Sequence, residues 1–230
     1  MSVIASLLDF WLRIASFFRD QKVAEMDSEV NNKLEIEWVN GHKVLNVDNA
    51  NYSFGSLYKT FRKTFDEVKI RREQFEKVLI LGNGAGGTAR LLRKVYKFDG
   101  IIHGVEIDKN IIEVSKKYFP EGYAATNRVF NEDGYDFVMN RAKTSYDFVV
   151  FDIYKDLEIP GKFQTQAFIT KLHSFMAEKS ILVFNKVVRS RKTKREAEFL
   201  ASIMKKLFHD FRVVGIGNFT ENRMFVCRKW

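Results

Sequence analysis

The sequence predicts an α/β fold built on a seven-stranded, mostly parallel sheet with an antiparallel last strand. Short apolar strand patterns alternate with amphipathic helix patterns from residue 77 onward, and this alternation calls for a parallel sheet covered on both faces. The last two strand patterns are separated only by Gly217 to Arg223, too few residues for a parallel crossover, so these strands must be antiparallel. The 230 residues are 46% hydrophobic and 29% charged, a globular balance that supports a large core.

Ahead of this sheet, the sequence predicts a small N-terminal region. Val3 to Phe18 is strongly apolar but shorter than the ~20 residues of a membrane span, so we expect a helix that packs on the body or on a second subunit. Alternating side chains from Lys33 to Val47, interrupted by Asn40-Gly41, predict a β-hairpin with a type I′ turn. Tyr58 to Ile70 has the pattern of an amphipathic helix. We therefore expect an N-terminal region of residues 1–70 and a main domain of residues 71–230.

The main domain contains the alternating elements. Its predicted strands are Val78 to Leu81, Ile101 to Val105, Arg128 to Asn131, Phe148 to Phe151, Ile181 to Phe184, Phe211 to Ile216 and Met224 to Arg228. Its predicted helices are Thr88 to Tyr96, Asn110 to Tyr118, Tyr135 to Ala142, Gln164 to Met176 and Lys194 to Phe208.

Composition limits the partners and the location of the protein. The net charge is +9, yet the basic run from Lys186 to Arg195 lacks interleaved aromatic residues. We interpret this run as a solvated loop and helix face, and we expect neither nucleic acid nor a membrane as a partner. The single cysteine, Cys227, excludes a disulfide framework, and the absence of a secretory signal indicates the cytoplasm. The four histidines are scattered, so no metal is expected.

A glycine cluster follows the first strand of the main domain and opens a helix. It reads Gly82-Asn83-Gly84-Ala85-Gly86-Gly87, and three of its glycines satisfy the pattern G-x-G-x-x-G. Glycine allows positive φ and close approach of a ligand, and the helix N-terminus offers free N–H groups. The alternative is a merely tight turn. We predict a loop that binds a nucleotide or nucleoside.

Three carboxylates follow the next strands at the same carboxyl edge, where ligands bind in open α/β sheets. Glu106 lies 24 positions after Gly82 and can accept hydrogen bonds from both ribose hydroxyls. Asp133, followed by Gly134, can accept from the exocyclic amine of adenine, or it can simply cap a helix. Asp152 follows an apolar strand and can act as a general base or anchor a cationic amine; helix capping or cofactor orientation is the alternative.

At this point a family resemblance is visible. The segments VLILGNGAGG, GVEID, NEDGYDFV and YDFVVFDIYKD resemble the nucleoside-binding motifs of spermidine synthases, within the class I S-adenosylmethionine-dependent methyltransferase superfamily. The resemblance covers about Leu34 to Val187. It implies a Rossmann-like fold, S-adenosylmethionine or its decarboxylated form as cofactor, and a small-molecule acceptor. We expect catalysis by Asp152 with Tyr154 as a helper. The expected cofactor-binding residues are Gly82, Asn83, Gly84, Gly86, Glu106, Ile107, Asp133, Gly134 and Asp152.

Three positions depart from the polyamine enzymes of that family. Ala85 stands where the glycine loop usually has an acid that helps hold the cofactor's amino group. Lys155 precedes a displaced second acid, Asp156, and Phe54-Gly55-Ser56 replaces the usual Tyr-His-Glu. A polyamine pocket needs carboxylates to replace lost water. We therefore expect a different acceptor and favour methyl transfer slightly over aminopropyl transfer.

Two other functions stay open from the sequence. A nicotinamide dehydrogenase fits the glycine pattern and Glu106, whereas the reversed strand and Asp133-Gly134 argue against it. A non-catalytic relative that binds a nucleoside or a partner is the second alternative. We also expect a homodimer that associates through the apolar N-terminal helix.

Overall fold

The computed structural model describes residues 3–47, 50–53, 56–142, 144–155, 158–216 and 221–230. A four-stranded antiparallel sheet contains the strands β1 (Gln21–Ser28), β2 (Asn32–Val39), β3 (His42–Val47) and β4 (Ala50–Ser53). A seven-stranded sheet contains β5 (Lys77–Leu81), β6 (Ile101–Glu106), β7 (Arg128–Asn131), β8 (Tyr146–Phe151), β9 (Met176–Val188), β10 (Asp210–Ile216) and β11 (Glu221–Arg228). The helices are α1 (Val3–Ala15), α2 (Ser56–Glu67), α3 (Gly87–Lys94), α4 (Lys109–Tyr118), α5 (Pro120–Ala125), α6 (Gly134–Asn140), α7 (Gln166–Ser174) and α8 (Arg191–Leu207).

The order of the larger sheet confirms the predicted fold class. The strands follow the order β10-β11-β9-β8-β5-β6-β7. Strands β5 to β9 pair in parallel, and β11 runs antiparallel to both β9 and β10. The chain leaves β5 toward β6 on one side and returns to β8 on the other. This switch creates a crevice at the carboxyl ends of β5, β6 and β8, where α/β sheets bind ligands.

The N-terminal sheet contains more strands than the sequence predicted. The predicted hairpin is confirmed as β2 and β3, with Asn40 and Gly41 both at the positive φ of a type I′ turn. Strand β1 pairs antiparallel with β2, but its side chains lack the alternation that predicts a strand. The sequence pattern therefore did not predict β1, and β4 was not predicted either.

Helix α2 packs with the main sheet. Its residues Phe61 and Phe65 are buried in one cluster with Val78 of β5 and Phe148 of β8. The boundary after residue 70 stays a prediction; α2, which lies before it in the chain, packs against elements of the main sheet.

Helix α1 is attached by its polar side chains and exposes its apolar ones. The Trp38 indole donates to Asp9 at 2.9 Å, and the Arg13 guanidinium donates to the Gly41 carbonyl at 3.2 Å. Helical spacing turns the opposite side of α1 away from the sheet. The exposed apolar residues of α1 and the turn after it are Leu7, Leu8, Phe10, Trp11, Ile14, Phe17 and Phe18. Among the described residues, no helix is both long enough and apolar enough to cross a membrane.

The basic run is only partly solvated, which corrects our interpretation of it. Strand β9 continues past the predicted end at Phe184, so Lys186 lies inside the sheet and is 1% exposed. Its ammonium donates to Gln164 at 2.8 Å and to Glu196 at 2.6 Å, which compensates for the burial. The exposed members of the run are Arg189, Arg191, Lys192, Lys194 and Arg195. Cys227 is a buried core residue.

Candidate active site

Main-chain hydrogen bonds join the carboxyl ends of three strands. The N–H groups of Gly82 and Asn83 both donate to the Val105 carbonyl at 3.0 Å, which ties the glycine loop to β6. The Asp152 N–H donates to the Leu81 carbonyl at 2.8 Å, which ties the end of β8 to β5. The structure therefore brings the predicted loop, the strand that carries Glu106, and Asp152 to one edge.

Two glycines of the loop are required by the protein's own backbone. Gly82 has φ of 86°, and a Cβ there would lie 2.3 Å from the Asp152 carbonyl oxygen. Gly86 has φ of 77°, and a Cβ there would lie 2.3 Å from the Gly122 carbonyl oxygen. Both distances are far below van der Waals contact, so any side chain would displace the loop. These glycines shape the floor of the site rather than simply leaving room for a ligand.

Glu106 is directed toward this glycine floor. Its carboxylate accepts from the Gly84 N–H at 2.8 Å and from the Asp108 N–H at 3.1 Å, and the residue is 6% exposed. Burial raises the pKa of Glu106 to about 7, although the two N–H donors oppose that rise. A carboxylate held in this way can accept hydrogen bonds from two neighbouring hydroxyls, as a ribose requires.

Asp108 connects this site to the N-terminal sheet. One carboxylate oxygen caps α4 by accepting from the Asn110 N–H at 2.8 Å. The other accepts from the Ser28 hydroxyl and, at 2.7 Å, from the Asn31 amide. Ser28, Asn31 and Asp108 are all buried. The end of β1 and the turn after it thus support the loop that directly follows Glu106. The sequence did not predict this contact, because its partners lie about 80 residues apart.

Asp133 has two protein partners. Its carboxylate accepts from the Tyr135 N–H at 2.7 Å, which caps α6, and it pairs with the Lys162 ammonium at 2.5 Å. The neighbouring Gly134 is needed for packing, because a Cβ there would lie 2.6 Å from the Ile153 side chain. The cap predicted as the alternative is present. The adenine role stays a prediction, and an adenine amine would share Asp133 with Lys162.

The other two expected cofactor residues differ in exposure. Asn83 is 5% exposed, and its side-chain carbonyl accepts from the Thr126 hydroxyl at 3.3 Å, so this side chain is directed into the protein. Ile107 is 47% exposed beside Glu106. Of the two, Ile107 is the one positioned to cover the apolar face of a ligand.

Asp152 lies at the opening of the crevice and has one amide donor. Its carboxylate accepts from the Asn185 side-chain N–H at 2.9 Å. The residue is partly exposed, but the surrounding protein raises its pKa to about 6 by desolvation. The side-chain oxygen of Asn185 is buried and has no hydrogen-bond partner among the described residues. The sequence analysis missed Asn185; a polar residue directly after an apolar strand pattern was the signal that could have found it.

Tyr154 ties the segment after Asp152 to β9. Its hydroxyl donates to the Asn185 carbonyl at 2.8 Å and accepts from the Val187 N–H at 3.0 Å. Burial holds the pKa of Tyr154 well above its ordinary value. This geometry suits a residue that positions Asp152 better than one that moves a proton.

Some expectations lie outside the described residues: Asp156 and the Phe54-Gly55 pair. Among the residues that the structure describes, no three His, Cys, Asp or Glu side chains form a group that could hold a metal ion.

Comparisons with known proteins indicate a family. The Spermine/spermidine synthase domain family matches residues 65–224. Polyamine aminopropyltransferase 1 of Aquifex aeolicus is 31% identical over 145 residues, which cover 60% of this chain and 49% of that protein. The chain thus spans about half the length of this relative.

Solved structures share the fold. Spermidine synthase from Thermotoga maritima superposes with a TM-score of 0.72 at 17% identity, covering 91% of this chain and 73% of that one. Human methyltransferase-like protein 13 in complex with SAH superposes with a TM-score of 0.61 at 21% identity, covering 77% of this chain and 83% of that one. Because the family match includes most of the chain and all of the candidate site, the chain belongs to the spermine/spermidine synthase domain family.

Proposed function

We propose that this chain transfers an aminopropyl group from decarboxylated S-adenosylmethionine to an amine. The family match and the aminopropyltransferase relative support this donor. They favour aminopropyl transfer over the methyl transfer that we preferred from the sequence. The fold itself does not discriminate, since a methyltransferase-like protein shares it.

The nucleoside part of the donor would lie on the glycine floor. Glu106 would accept hydrogen bonds from the ribose hydroxyls, because its carboxylate already faces the Gly84 N–H. Asp133 would accept from the adenine amine, and Ile107 would cover an apolar face of the donor. These roles use residues at the carboxyl ends of β5, β6 and β7.

The acceptor nitrogen would attack the aminopropyl carbon next to the sulfonium. A C–N bond forms, the C–S bond breaks, and its electron pair passes to sulfur, so 5′-methylthioadenosine leaves as a neutral thioether. The proton lost from nitrogen would pass to Asp152. The observation that carries this role is the position of Asp152 at the end of β8, where its backbone lies directly against Gly82 of the glycine loop. Its pKa of about 6 fits the role, because such a carboxylate is ionised at neutral pH yet basic enough to accept a proton.

Donor labelling tests the proposal. The protein is incubated with a mixture of amines and either decarboxylated S-adenosylmethionine labelled in the aminopropyl carbons or S-adenosylmethionine labelled in the methyl group. We expect label in an amine product only from the first donor. Transfer only from the second would restore methyl transfer, and saturable donor binding without any product would favour the non-catalytic alternative.

The homodimer is also a proposal. The exposed apolar side chains of α1 and its following turn are 39–91% exposed and offer on the order of 800 Å² per copy, as much as a standard interface needs. Residues 1–47 carry five Lys and Arg against seven Asp and Glu, so their net charge is small. Electrostatic repulsion between two copies of this region is therefore weak. Light scattering should find a dimer that Trp11→Asp converts to a monomer. A monomeric wild type would contradict this.

A further inference from the structure

We propose that the acceptor is an amine that also carries an anionic group, and that Lys155 and Arg189 bind this group. The inference rests on the proposed function, because it specifies the acceptor of the same site. We call the described residues 152–155, 158–164 and 185–196 the acceptor rim. Both cations are exposed on this rim.

Topology places the two cations together. Strands β8 and β9 run parallel and adjacent, so the segments that follow them leave the same edge side by side. The Tyr154 hydroxyl joins these segments through its bonds to the Asn185 carbonyl and the Val187 N–H. Lys155 follows Tyr154 directly, and Arg189 is close enough for its charge to act on the Tyr154 hydroxyl. Both cations therefore lie on the joined segments that follow Asp152 and Asn185.

The carboxylates of the rim are already neutralised, apart from Asp152. Glu158 pairs with Lys192 at 2.8 Å, and Glu196 pairs with the buried Lys186 at 2.6 Å. By contrast, within the described part of the chain neither Lys155 nor Arg189 has a hydrogen-bond or ion-pair partner for its charged group.

This charge balance selects against a simple diamine. One ammonium of a diamine can reach Asp152, but the second would face two cations that have no ion-pair partner among the described residues. A carboxylate or phosphate in the second position would instead receive charge-assisted hydrogen bonds, and the Arg189 guanidinium can bind such a group with two parallel N–H donors. The rim therefore fits a zwitterionic amine.

Matched acceptor pairs test the proposal. The first pair is 1,4-diaminobutane and ornithine, which is the same diamine with a carboxylate added. The second pair is ethanolamine and phosphoethanolamine, which reports on phosphate. Each is measured as an acceptor with labelled donor, and by calorimetry on the protein saturated with 5′-methylthioadenosine. We expect the anionic member of at least one pair to be favoured tenfold or more, and the pair that shows this identifies the anion.

Variants assign the preference to the two cations. Lys155→Gln with Arg189→Gln should remove the preference, and the double change to Glu should reverse it in favour of 1,4-diaminobutane. Lys206→Gln, an equal loss of charge near the far end of α8, should leave it unchanged. The proposal is overturned if, in both pairs, wild type binds the member without the anionic group as tightly as the anionic member or more tightly, or if the Gln variants leave the preference unchanged. Because binding is measured apart from turnover, absence of transfer would count against the proposed function alone.

Discussion

The candidate site has a nucleoside half, formed by the glycine loop and Glu106, and an acceptor half, formed by Asp152 and the acceptor rim. Different kinds of contact hold these two halves in place. Main-chain N–H groups of Gly84 and Asp108 fix Glu106, and backbone proximity requires glycine at position 82. In the acceptor half, side-chain contacts hold the functional groups instead. The Asn185 amide donates to the Asp152 carboxylate, and ion pairs such as Glu158 with Lys192 determine the net charge of the acceptor rim. Contacts to the main chain require a fixed local sequence such as the glycine loop. Contacts between side chains can be altered by substitution, so the acceptor half can become specific for another acceptor while the fold stays the same.

The largest expected effect separates the two halves by function. Asp152→Asn should lower turnover by about 10³-fold, because the amide cannot accept the proton, while its carbonyl can still accept from Asn185. Affinity for 5′-methylthioadenosine should stay within about twofold. Single-turnover rates and calorimetry measure the two quantities. Full activity in this variant would remove Asp152 as the base.

The next effect should fall on the nucleoside half alone. Glu106→Ala should weaken 5′-methylthioadenosine binding by about 2 kcal/mol, roughly 30-fold, because two hydrogen bonds to a charged acceptor are lost. Glu113→Ala, which removes an exposed carboxylate from α4, is the matched control and should have no effect. Equal affinities for both variants would show that the ribose is bound elsewhere.

A smaller effect should reveal the support from the N-terminal sheet. Ser28→Ala removes a buried donor to Asp108 and should cost about 1 kcal/mol of unfolding free energy, which lowers Tm by about 2–4 °C. Nucleoside affinity should fall by a few fold, because the loop that directly follows Glu106 loses a contact. Ser202→Ala, at an exposed serine of α8, controls for loss of a hydroxyl. Identical melting of both variants would argue against this support.

The sequence predicted what depends on local pattern and connection length. Residues 217–223 are too few for a parallel crossover, and β11 indeed runs antiparallel to β10. The glycine loop and Glu106 were placed correctly at one edge. The pairing of Lys162 with Asp133 and the burial of Lys186 were missed, because both depend on contacts between residues more than 20 positions apart or on where a strand ends.

The central claim is that a buried carboxylate on the glycine floor binds the nucleoside. Calorimetric titration of 5′-methylthioadenosine into the wild-type protein at pH 6 and pH 8 tests it most directly. The pKa of Glu106 lies at about 7, and only the ionised carboxylate accepts both hydroxyl hydrogen bonds. We expect saturable binding with a Kd about tenfold lower at pH 8 than at pH 6. Absence of binding, or a Kd that is the same at both pH values, would contradict the account.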